Sequence, residues 1–487
     1  MTVTTPEISW IAILPELFLA LGAAGALLVE VQWKPAVRVL GALAAAALAL
    51  ASTSSVVQWA QASDAFGGGS ADELISFSGL VVMDGFAVFG RFALLAVTGF
   101  GLLAGWRYIE SLGRRGAEAI ALVLLASAGF SIMVAANNLV MMFLGLEVGS
   151  IALYVLAGMS RERARSDEAA IKYFLLGSFA SAIFVYGVAL IYAGTGQFEI
   201  LGIRAFMSEF VVLSPAVILI GLGLVIVGLG FKVSAAPFHS WAPDVYQGAP
   251  AGLVGYMAAM AKVAGFVAIS RILLTGLDSL DSNWLPVIAA ISALSMLAGS
   301  ILALVQGDVR RMLAYSGVAH AGFILTGLVG GTTGGVLFYL AVYALQLVGA
   351  FAVVAAVSGP DNSESALEAY RGLIRRSPLL AWSFTILLLG MAGLPLTSGF
   401  IAKFGVFAQA WSSGFEWLVV VAVLASVIAF AFYLRIIVMM YMDESDDPEI
   451  EVPGTVRWVL AAAVGTTILW GILPGSLLRL AADALPL

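Results

Sequence analysis

Four of the five lysines in this chain lie inside apolar stretches that are long enough to form membrane helices. They are Lys172, Lys232, Lys262 and Lys403. Glu147 is likewise the only acidic residue in the apolar run 120–159. A charged side chain within the hydrocarbon of a membrane is costly, and it marks a functional site by default. These five residues are therefore the candidates for chemistry.

Buried amines and carboxylates can bind protons reversibly. Loss of hydration favours the neutral form of an amine, and a carboxylate nearby favours the charged form again. A lysine whose acidic partner approaches or retreats can therefore load and release a proton. We expect Glu147 and Lys232 to form such a pair, with Lys262 and Lys403 as onward stations. Because like charges repel, these stations are not all protonated at once.

Polar residues near these positions could connect the stations. Tyr315 and His320 lie in the motif YSGVAHAGF, where His320 either relays protons or forms a hydrogen bond in the core. We expect His239 to cap or pack at a helix break rather than to bind a metal. The chain has two histidines and no cysteine, which disfavours a histidine-rich metal site and excludes a cysteine-ligated iron–sulfur cluster.

Each charged position also has a structural interpretation. Lys172 lies near the end of its apolar stretch and could extend to the lipid headgroups. Glu147 and Lys232 could form a static buried ion pair. Asp84 and Arg91, which are two helical turns apart in the sequence, are expected to pair locally.

Two prolines interrupt the elements that hold these residues. Pro237 cannot donate a backbone hydrogen bond, so it frees the carbonyl of Val233 and breaks a helix five residues after Lys232. Pro395, within the sequence GLPLTSG, interrupts a second long apolar segment eight residues before Lys403. The sequence therefore predicts two broken helices, each with a lysine beside its break.

The chain is predicted to be an all-α membrane protein with many spans. Of its 487 residues, 61% are hydrophobic and 11% are charged, whereas soluble domains carry about 25% charged residues. Apolar runs predict fourteen transmembrane helices, near residues 10–31, 37–59, 84–106, 117–136, 138–159, 168–193, 211–238, 250–274, 286–305, 309–330, 335–358, 379–410, 416–441 and 455–475. The longest connection, from Gln61 to Val82, contains GGGS and is expected to be an exposed loop. The net charge of −7 indicates no nucleic-acid partner.

Basic residues predict the orientation of these helices. The odd-numbered connections hold Lys34, Arg38, Arg107, Arg114, Arg115, Arg161, Arg163, Arg165, Arg310, Arg311, Arg371, Arg375 and Arg376. The even-numbered connections hold almost none, with Arg204 as the clear exception. We therefore expect the odd-numbered connections to face the cytoplasm and both termini to face the periplasm. The N-terminus does not resemble a cleavable signal peptide, which favours a bacterial inner membrane.

The two predicted broken helices are five helices apart, so they are expected to cross the membrane in opposite directions. Paired broken helices are typical of inverted repeats, with transport sites at the breaks. The sequence therefore predicts an N-terminal three-helix segment (1–110), two five-helix repeats (111–278 and 279–442) and a C-terminal helix (443–487).

Several motifs at these positions resemble a known family. The antiporter-like membrane subunits of respiratory complex I, the proton-pumping NADH:quinone oxidoreductase, have stretches similar to FKVSAAPFHSWAPDVYQGAP, MAKVAGF, QGDVRRMLAYSGVAHAGF and GLPLTSGFIAKF. Within that family, the subunit N type has stretches similar to PDVYQGAP and IKYFLLG. The resemblance covers about residues 110–410.

The resemblance implies roles for the charged residues. It assigns to a proton-translocating axis Glu147 of the fifth helix, Lys172 of the sixth, Lys232 of the broken seventh, Lys262 of the eighth and Lys403 of the broken twelfth. Proton movement would be driven by quinone reduction in other membrane and peripheral subunits of the complex. NADH, FMN, iron–sulfur clusters and quinone would bind to those partners, and this chain would hold no cofactor.

Two other functions stay open at this point. A subunit of a multi-subunit cation/proton antiporter shares this fold and would use ion gradients, although PDVYQGAP and IKYFLLG favour the complex I type. A scaffold without proton flux is the other alternative. The cost of burying five charged residues without a use for them argues against a scaffold.

Overall fold

The computed structural model describes residues 9–66, 74–160, 164–209, 215–359, 365–445 and 447–487. These residues form an almost entirely helical bundle. Its first six α-helices are α1 (Leu14–Trp33), α2 (Val37–Phe66), α3 (Gly85–Ser111), α4 (Gly116–Ala135), α5 (Leu139–Ala157) and α6 (Ala164–Thr195). The next seven are α7 (Ile200–Glu209), α8 (Ala216–Lys232), α9 (Trp241–Gly248), α10 (Ala251–Arg271), α11 (Asp281–Leu304), α12 (Val309–Val329) and α13 (Thr333–Ser358).

The C-terminal part of the bundle is also helical. It contains α14 (Leu373–Arg376), α15 (Pro378–Ala392), α16 (Ser398–Ser412), α17 (Glu416–Met442), α18 (Gly454–Ile472) and α19 (Gly475–Asp483). Within the described residues, twelve helices are long and apolar enough to cross a membrane, namely α1–α6, α10–α13, α17 and α18. The prediction of an all-α multi-pass membrane protein is therefore confirmed.

Two apolar segments are divided where the prolines predict a break. Helix α8 ends at Lys232 and α9 begins at Trp241, so Pro237 lies in the connection between them. Helix α15 ends at Ala392 and α16 begins at Ser398, with Pro395 in the connection. The predicted count of fourteen crossings requires each divided pair to make one crossing, and that count stays a prediction.

Left-handed backbone conformations accompany both breaks. Ser234 has a φ of 60° just after α8, and Gly393 has a φ of 89° just after α15. A residue in this conformation ends an α-helix because the next peptide group leaves the helical path. The last carbonyls of α8 and α15 are thus free to accept bonds from other groups.

Glycine allows close approach of neighbouring helices at the centre of the second half. A Cβ atom on Gly299 of α11 would overlap the backbone of Tyr315 and Ala319 on α12. A Cβ atom on Gly322 of α12 would in turn meet Met296 of α11. Small residues at a helix crossing let two backbones pack closely, which is a main source of helix association in membranes.

The described ends of the connection from Gln61 to Val82 form regular structure, whereas its composition predicts an exposed loop. Helix α2 continues to Phe66, and the strands β1 (Ile75–Ser76) and β2 (Val81–Val82) form an antiparallel hairpin. Both residues of β2 are buried, and the turn is fixed by the amide of Asn137, which donates to the Gly79 carbonyl at 3.0 Å. Residues 67–73, which include the GGGS sequence, lie outside the described part.

The predicted local pair of Asp84 and Arg91 is wrong. Asp84 caps the start of α3 by accepting from the Ala87 amide at 2.8 Å, and its oxygens accept two hydrogen bonds from Arg271, at 2.7 and 2.8 Å. Arg91 instead binds Glu16 of α1. The cap directs the Asp84 side chain to the end of α3, so Arg91 is bound by a different helix.

Candidate functional site

Lys232 is buried at the last position of α8. Its Nζ donates to the hydroxyl of Ser150 on α5 at 2.8 Å, and that hydroxyl donates to the Leu146 carbonyl at 2.5 Å. The Nζ atom also lies 4.9 Å from the ring centroid of Phe130 and 5.6 Å from that of Tyr173. The ammonium group is therefore held by one neutral acceptor and by aromatic faces.

Glu147 lies on α5, three residues before Ser150, and is only half-buried. Its carboxylate accepts a hydrogen bond from the hydroxyl of Ser181 on α6. Among the described residues, Glu147 and Lys232 form no ion pair. A static buried ion pair between these two residues is therefore not present, and the pair whose acid approaches or retreats stays a prediction. A separate serine binds each of them.

Lys262 lies near the middle of α10 and is buried. Its Nζ donates to two backbone carbonyls, those of Val233 and Gly317, both at 2.8 Å. The Val233 carbonyl is the one that Pro237 frees. The ammonium group thus takes the place of the missing helical donor at the first break and joins α8 to α12.

Lys403 forms the corresponding contact at the second break. From α16, its Nζ donates to the carbonyl of Ala392, the last residue of α15, at 2.9 Å. It lies 4.3 Å from the ring centroid of Phe323 on α12. Pro395 itself lies between the two helices. A lysine therefore binds a freed carbonyl at each break, Lys262 from a neighbouring helix and Lys403 from the second half of the divided segment itself.

His320 lies on α12 between the contacts of the two lysines. It is three residues after Gly317, which binds Lys262, and three before Phe323, which contacts Lys403. The imidazole is buried, and its Nδ1 shares a hydrogen bond of 2.9 Å with the hydroxyl of Tyr339. This position suits a group that connects the two lysines, and Tyr339 fixes the orientation of the ring.

His239 and Tyr315 lie together at the edge of the first break. Their ring centroids are 6.1 Å apart in an edge-to-face arrangement. The Nδ1 atom of His239 is buried and has no hydrogen-bond partner among the described residues. His239 therefore packs at the break, and no group of three or more metal-ligating side chains forms in the described chain.

Lys172 is half-exposed and has two acidic partners. Its Nζ lies 2.7 Å from Asp244 of α9 and 2.6 Å from Glu168 of its own helix. Asp244 also binds Arg311 of α12 at 2.6 Å. Lys172 lies two turns inside α6 rather than one, because α6 begins at Ala164, earlier than predicted. The alternative that Lys172 extends to the lipid headgroups stays a prediction.

Sequence reasoning missed the residues that bind the charged groups. They are Ser150, Ser181, Asp244 and the carbonyls of Gly317 and Ala392. The available signal for Asp244 was its charge in the PDVYQGAP motif. Serines and backbone carbonyls carry no such signal, because they occur in every helix.

The charged groups form a connected row through the interior. Lys232 precedes Val233, whose carbonyl binds Lys262, and Lys262 binds the same turn of α12 that leads to His320. Lys403 follows on the far side of His320. Three buried amines held by neutral acceptors can exchange protons along such a row without leaving an unpaired carboxylate behind.

The fold and this site define a class of protein, a multi-pass membrane transport subunit with broken helices beside its buried lysines. The chain belongs to the family of NADH:quinone oxidoreductase/Mrp antiporter transmembrane proteins, whose pattern matches residues 136–429.

Relatives in this family carry the name subunit N of NADH-quinone oxidoreductase. The one from Trichlorobacter lovleyi is 38% identical and aligns with 85% of this chain and 86% of its own length. The one from Mycobacterium tuberculosis is 44% identical over 78% of this chain and 73% of its own length. The one from Rhodococcus opacus is 46% identical over 75% of this chain and 69% of its own length.

Solved structures share the whole fold. A chain of respiratory complex I from Thermus thermophilus with bound aureothin has a TM-score of 0.81 and 32% identity, covering 96% of this chain and 100% of that chain. A chain of an archaeal membrane-bound sulfane sulfur reductase has a TM-score of 0.87 and 25% identity, over 98% and 97% of the two chains. A chain of the Mrp complex from Dietzia sp. has a TM-score of 0.83 over 98% and 97%, but at 21% identity it shows the fold alone.

Proposed function

We propose that this chain translocates protons through Glu147, Lys232, Lys262 and Lys403, with Lys172 at one end of the row. The chain is a membrane subunit of a proton-translocating NADH:quinone oxidoreductase, and its relatives named subunit N support this. Quinone reduction in other subunits supplies the driving force. The observation that carries the proposal is the set of three buried ammonium groups bound by neutral oxygens.

Neutral acceptors make these lysines suitable for proton exchange. An ammonium group without a carboxylate partner is costly in a membrane interior, so its neutral form lies close in free energy. A small change nearby, such as movement of Glu147 relative to Lys232, is then enough to shift the proton. A permanent ion pair would instead hold the charge in place.

The wider setting belongs to the same proposal. We place NADH, FMN, the iron–sulfur clusters and quinone in the partner subunits. We propose a bacterial inner-membrane location with both termini at the periplasmic side. We also propose that the repeats 111–278 and 279–442 are related by inversion, with 1–110 and 443–487 packed around them; the two divided segments support this.

The test uses membranes that carry Lys232→Ala in the assembled complex. Assembly is verified on a native gel, and NADH-driven quinone reduction is recorded together with proton uptake into inverted vesicles. We expect both rates to fall at least about tenfold, because removal of a proton-transfer group typically costs more than that. The matched control is Lys34→Ala, which removes the one lysine that lies between membrane helices.

The outcome separates the proposal from its alternatives. Normal quinone reduction with normal proton uptake in Lys232→Ala would reduce Lys232 to a structural residue. If the chain were absent from NADH-oxidising complexes, the cation/proton antiporter would become the better interpretation. The similarity to a chain of an Mrp complex extends to the fold only, so it gives that alternative no separate support.

A further inference from the structure

One buried hydroxyl lies beside the row of charged groups and takes no part in the mechanism so far. The side chain of Tyr343 on α13 is buried, and its Oη has no hydrogen-bond partner among the described residues. An unpaired buried hydroxyl is costly, so such a group in a native protein calls for a partner that the chain itself does not supply. Its position indicates what that partner is.

The Tyr343 hydroxyl faces the same point of α12 as the Lys262 ammonium group. A Cβ atom placed on Gly317 would lie 3.4 Å from Tyr343 Oη and 3.6 Å from Lys262 Nζ, so the two atoms are at most 7.0 Å apart. Tyr343 Oη has no partner within hydrogen-bond distance among the described residues, so bridging water is needed to join the two atoms. The glycine at position 317 places no side chain between them.

Lys262 has a hydrogen available for this contact. An ammonium group has three N–H donors, and two of those on Lys262 go to the carbonyls of Val233 and Gly317. The third has no protein acceptor within hydrogen-bond distance among the described residues, while the nearby Tyr343 Oη has no donor. The remaining N–H donor of Lys262 and the hydroxyl oxygen of Tyr343 are therefore complementary.

Tyr343 also contacts the next group of the row. Its ring stacks on the imidazole of His320, with centroids 4.2 Å apart and planes at 22°. The Nδ1 of His320 shares a hydrogen bond with Tyr339. In the tautomer in which Nδ1 donates that bond, Nε2 is the nitrogen that can receive a proton. The Tyr343 side chain thus lies between Lys262 and His320 and is held in position by its ring.

We propose that the Tyr343 hydroxyl binds a water molecule and relays a proton between Lys262 and His320. This inference rests on the proposed function. In one concerted passage, an N–H bond of the Lys262 ammonium breaks as an O–H bond forms on the bridging water, and another O–H bond of that water breaks as one forms on Tyr343 Oη. The original O–H bond of Tyr343 breaks as an O–H bond forms on a second water, because Tyr343 Oη contacts no protein acceptor directly in the described part of the chain. An O–H bond of that water breaks as an N–H bond forms at His320 Nε2. Lys262 ends neutral, His320 ends as the cation, and the tyrosine regains its proton.

The decisive variant is Tyr343→Phe in the assembled complex, which removes Oη and keeps the ring that stacks on His320. The matched control is Tyr370→Phe, because the hydroxyl of Tyr370 is also buried without a partner but lies on a short 3₁₀ turn away from the row. Loss of an unpaired hydroxyl does not cost stability, so both variants are expected to assemble.

We expect Tyr343→Phe to lower proton uptake and coupled quinone reduction at least about tenfold, while electron transfer from NADH to ferricyanide is unchanged. The ratio of the rates in H₂O and D₂O is expected to rise, because proton transfer then limits turnover. A packing defect does not produce that isotope effect. Tyr370→Phe is expected to match the unmodified complex in all four measurements.

Equal proton uptake and equal isotope ratios in the two variants would overturn the relay. Lys262→Ala distinguishes that result from failure of the proposed function. If Lys262→Ala stops proton uptake and Tyr343→Phe does not, only the relay assignment falls. If Lys262→Ala also takes up protons normally, the row itself is not the path, and both proposals fall.

Discussion

Buried positive charge is stabilised in two different ways in this chain. The three lysines of the row bind hydroxyl or carbonyl oxygens, whereas two buried arginines bind carboxylates: Arg91 binds Glu16, and Arg271 binds Asp84. An arginine side chain stays charged at any physiological pH, so it cannot take part in proton exchange and needs a permanent partner. The arginine pairs are therefore structural, and the lysines are the exchangeable groups.

The pair of Arg271 and Asp84 provides a test of this division. Both side chains are buried and joined by two hydrogen bonds. We expect Arg271→Leu to destabilise the protein by about 3–5 kcal/mol, because it leaves the Asp84 charge buried without a cation. The measurement is the thermal midpoint of the purified complex, together with the fraction assembled on a native gel.

The control variant also removes the unpaired negative charge of Asp84. In the double variant Asp84→Asn with Arg271→Leu, the remaining side chain is neutral, so we expect most of the lost stability to return. A double variant no more stable than Arg271→Leu alone would mean that lost packing, and not the unpaired carboxylate, causes the effect.

At the level of elements, the two breaks were predictable and their partners were not. A proline without an N–H group locates a break from sequence alone, and it even identifies Val233 as the residue with a free carbonyl. That Lys262 binds this carbonyl depends on how α10 packs against α8, which no local pattern encodes. The same limit explains the missed contact of Lys232 with Ser150.

The same limit applies to secondary structure: features set by local sequence were predicted, and features set by tertiary contacts were missed. Apolar runs predicted the long helices, because hydrocarbon thickness sets their length. The hairpin of β1 and β2 was missed since the glycine-rich GGGS sequence before it is typical of a loop, and the order of the hairpin comes from its contact with Asn137. The distant partners Glu16 and Arg271 were missed for the same reason.

The crossing of α11 and α12 leads to a prediction about packing. A Cβ atom on Gly299 would overlap the backbone of α12, so Gly299→Ala is expected to push the helices apart and lower the thermal midpoint of the complex. Gly465→Ala on α18 is the matched control, because no atom lies within 4 Å of its added Cβ.

The control should behave in the opposite direction. Alanine in the middle of a helix is favoured over glycine by about 0.5–1 kcal/mol, so Gly465→Ala is expected to leave the midpoint unchanged or slightly higher. Similar midpoints for the two variants would show that α11 and α12 have room to adjust and that the glycine is not required there.

At the scale of the whole molecule, charged contacts lie at two opposite ends of the bundle. At one end, Asp244 joins Lys172 and Arg311, which belong to different helices. At the other, Asp84 joins Arg271 and the backbone of the C-terminal residue Leu487, whose amide donates to it at 3.0 Å. The C-terminus therefore lies at the end of the bundle where α3 begins and α10 ends.

The two ends of the bundle correspond to the odd-numbered and the even-numbered connections, whose basic residues predict the orientation in the membrane. That orientation is testable. The chain contains no cysteine, so one introduced cysteine reports on one position. Ser413→Cys lies between α16 and α17, and Glu449→Cys lies between α17 and α18; both positions are exposed. Because the two positions flank α17, they are expected on opposite sides of the membrane.

The orientation with cytoplasmic odd-numbered connections predicts which side each cysteine reaches. A membrane-impermeant maleimide added to intact spheroplasts is expected to label Ser413→Cys and to leave Glu449→Cys unmodified, and inverted vesicles are expected to give the reverse. The reverse pattern in spheroplasts would invert the whole molecule. Lys172 and Asp244 would then lie at the periplasmic side, and the proposed direction of proton uptake would have to change with them.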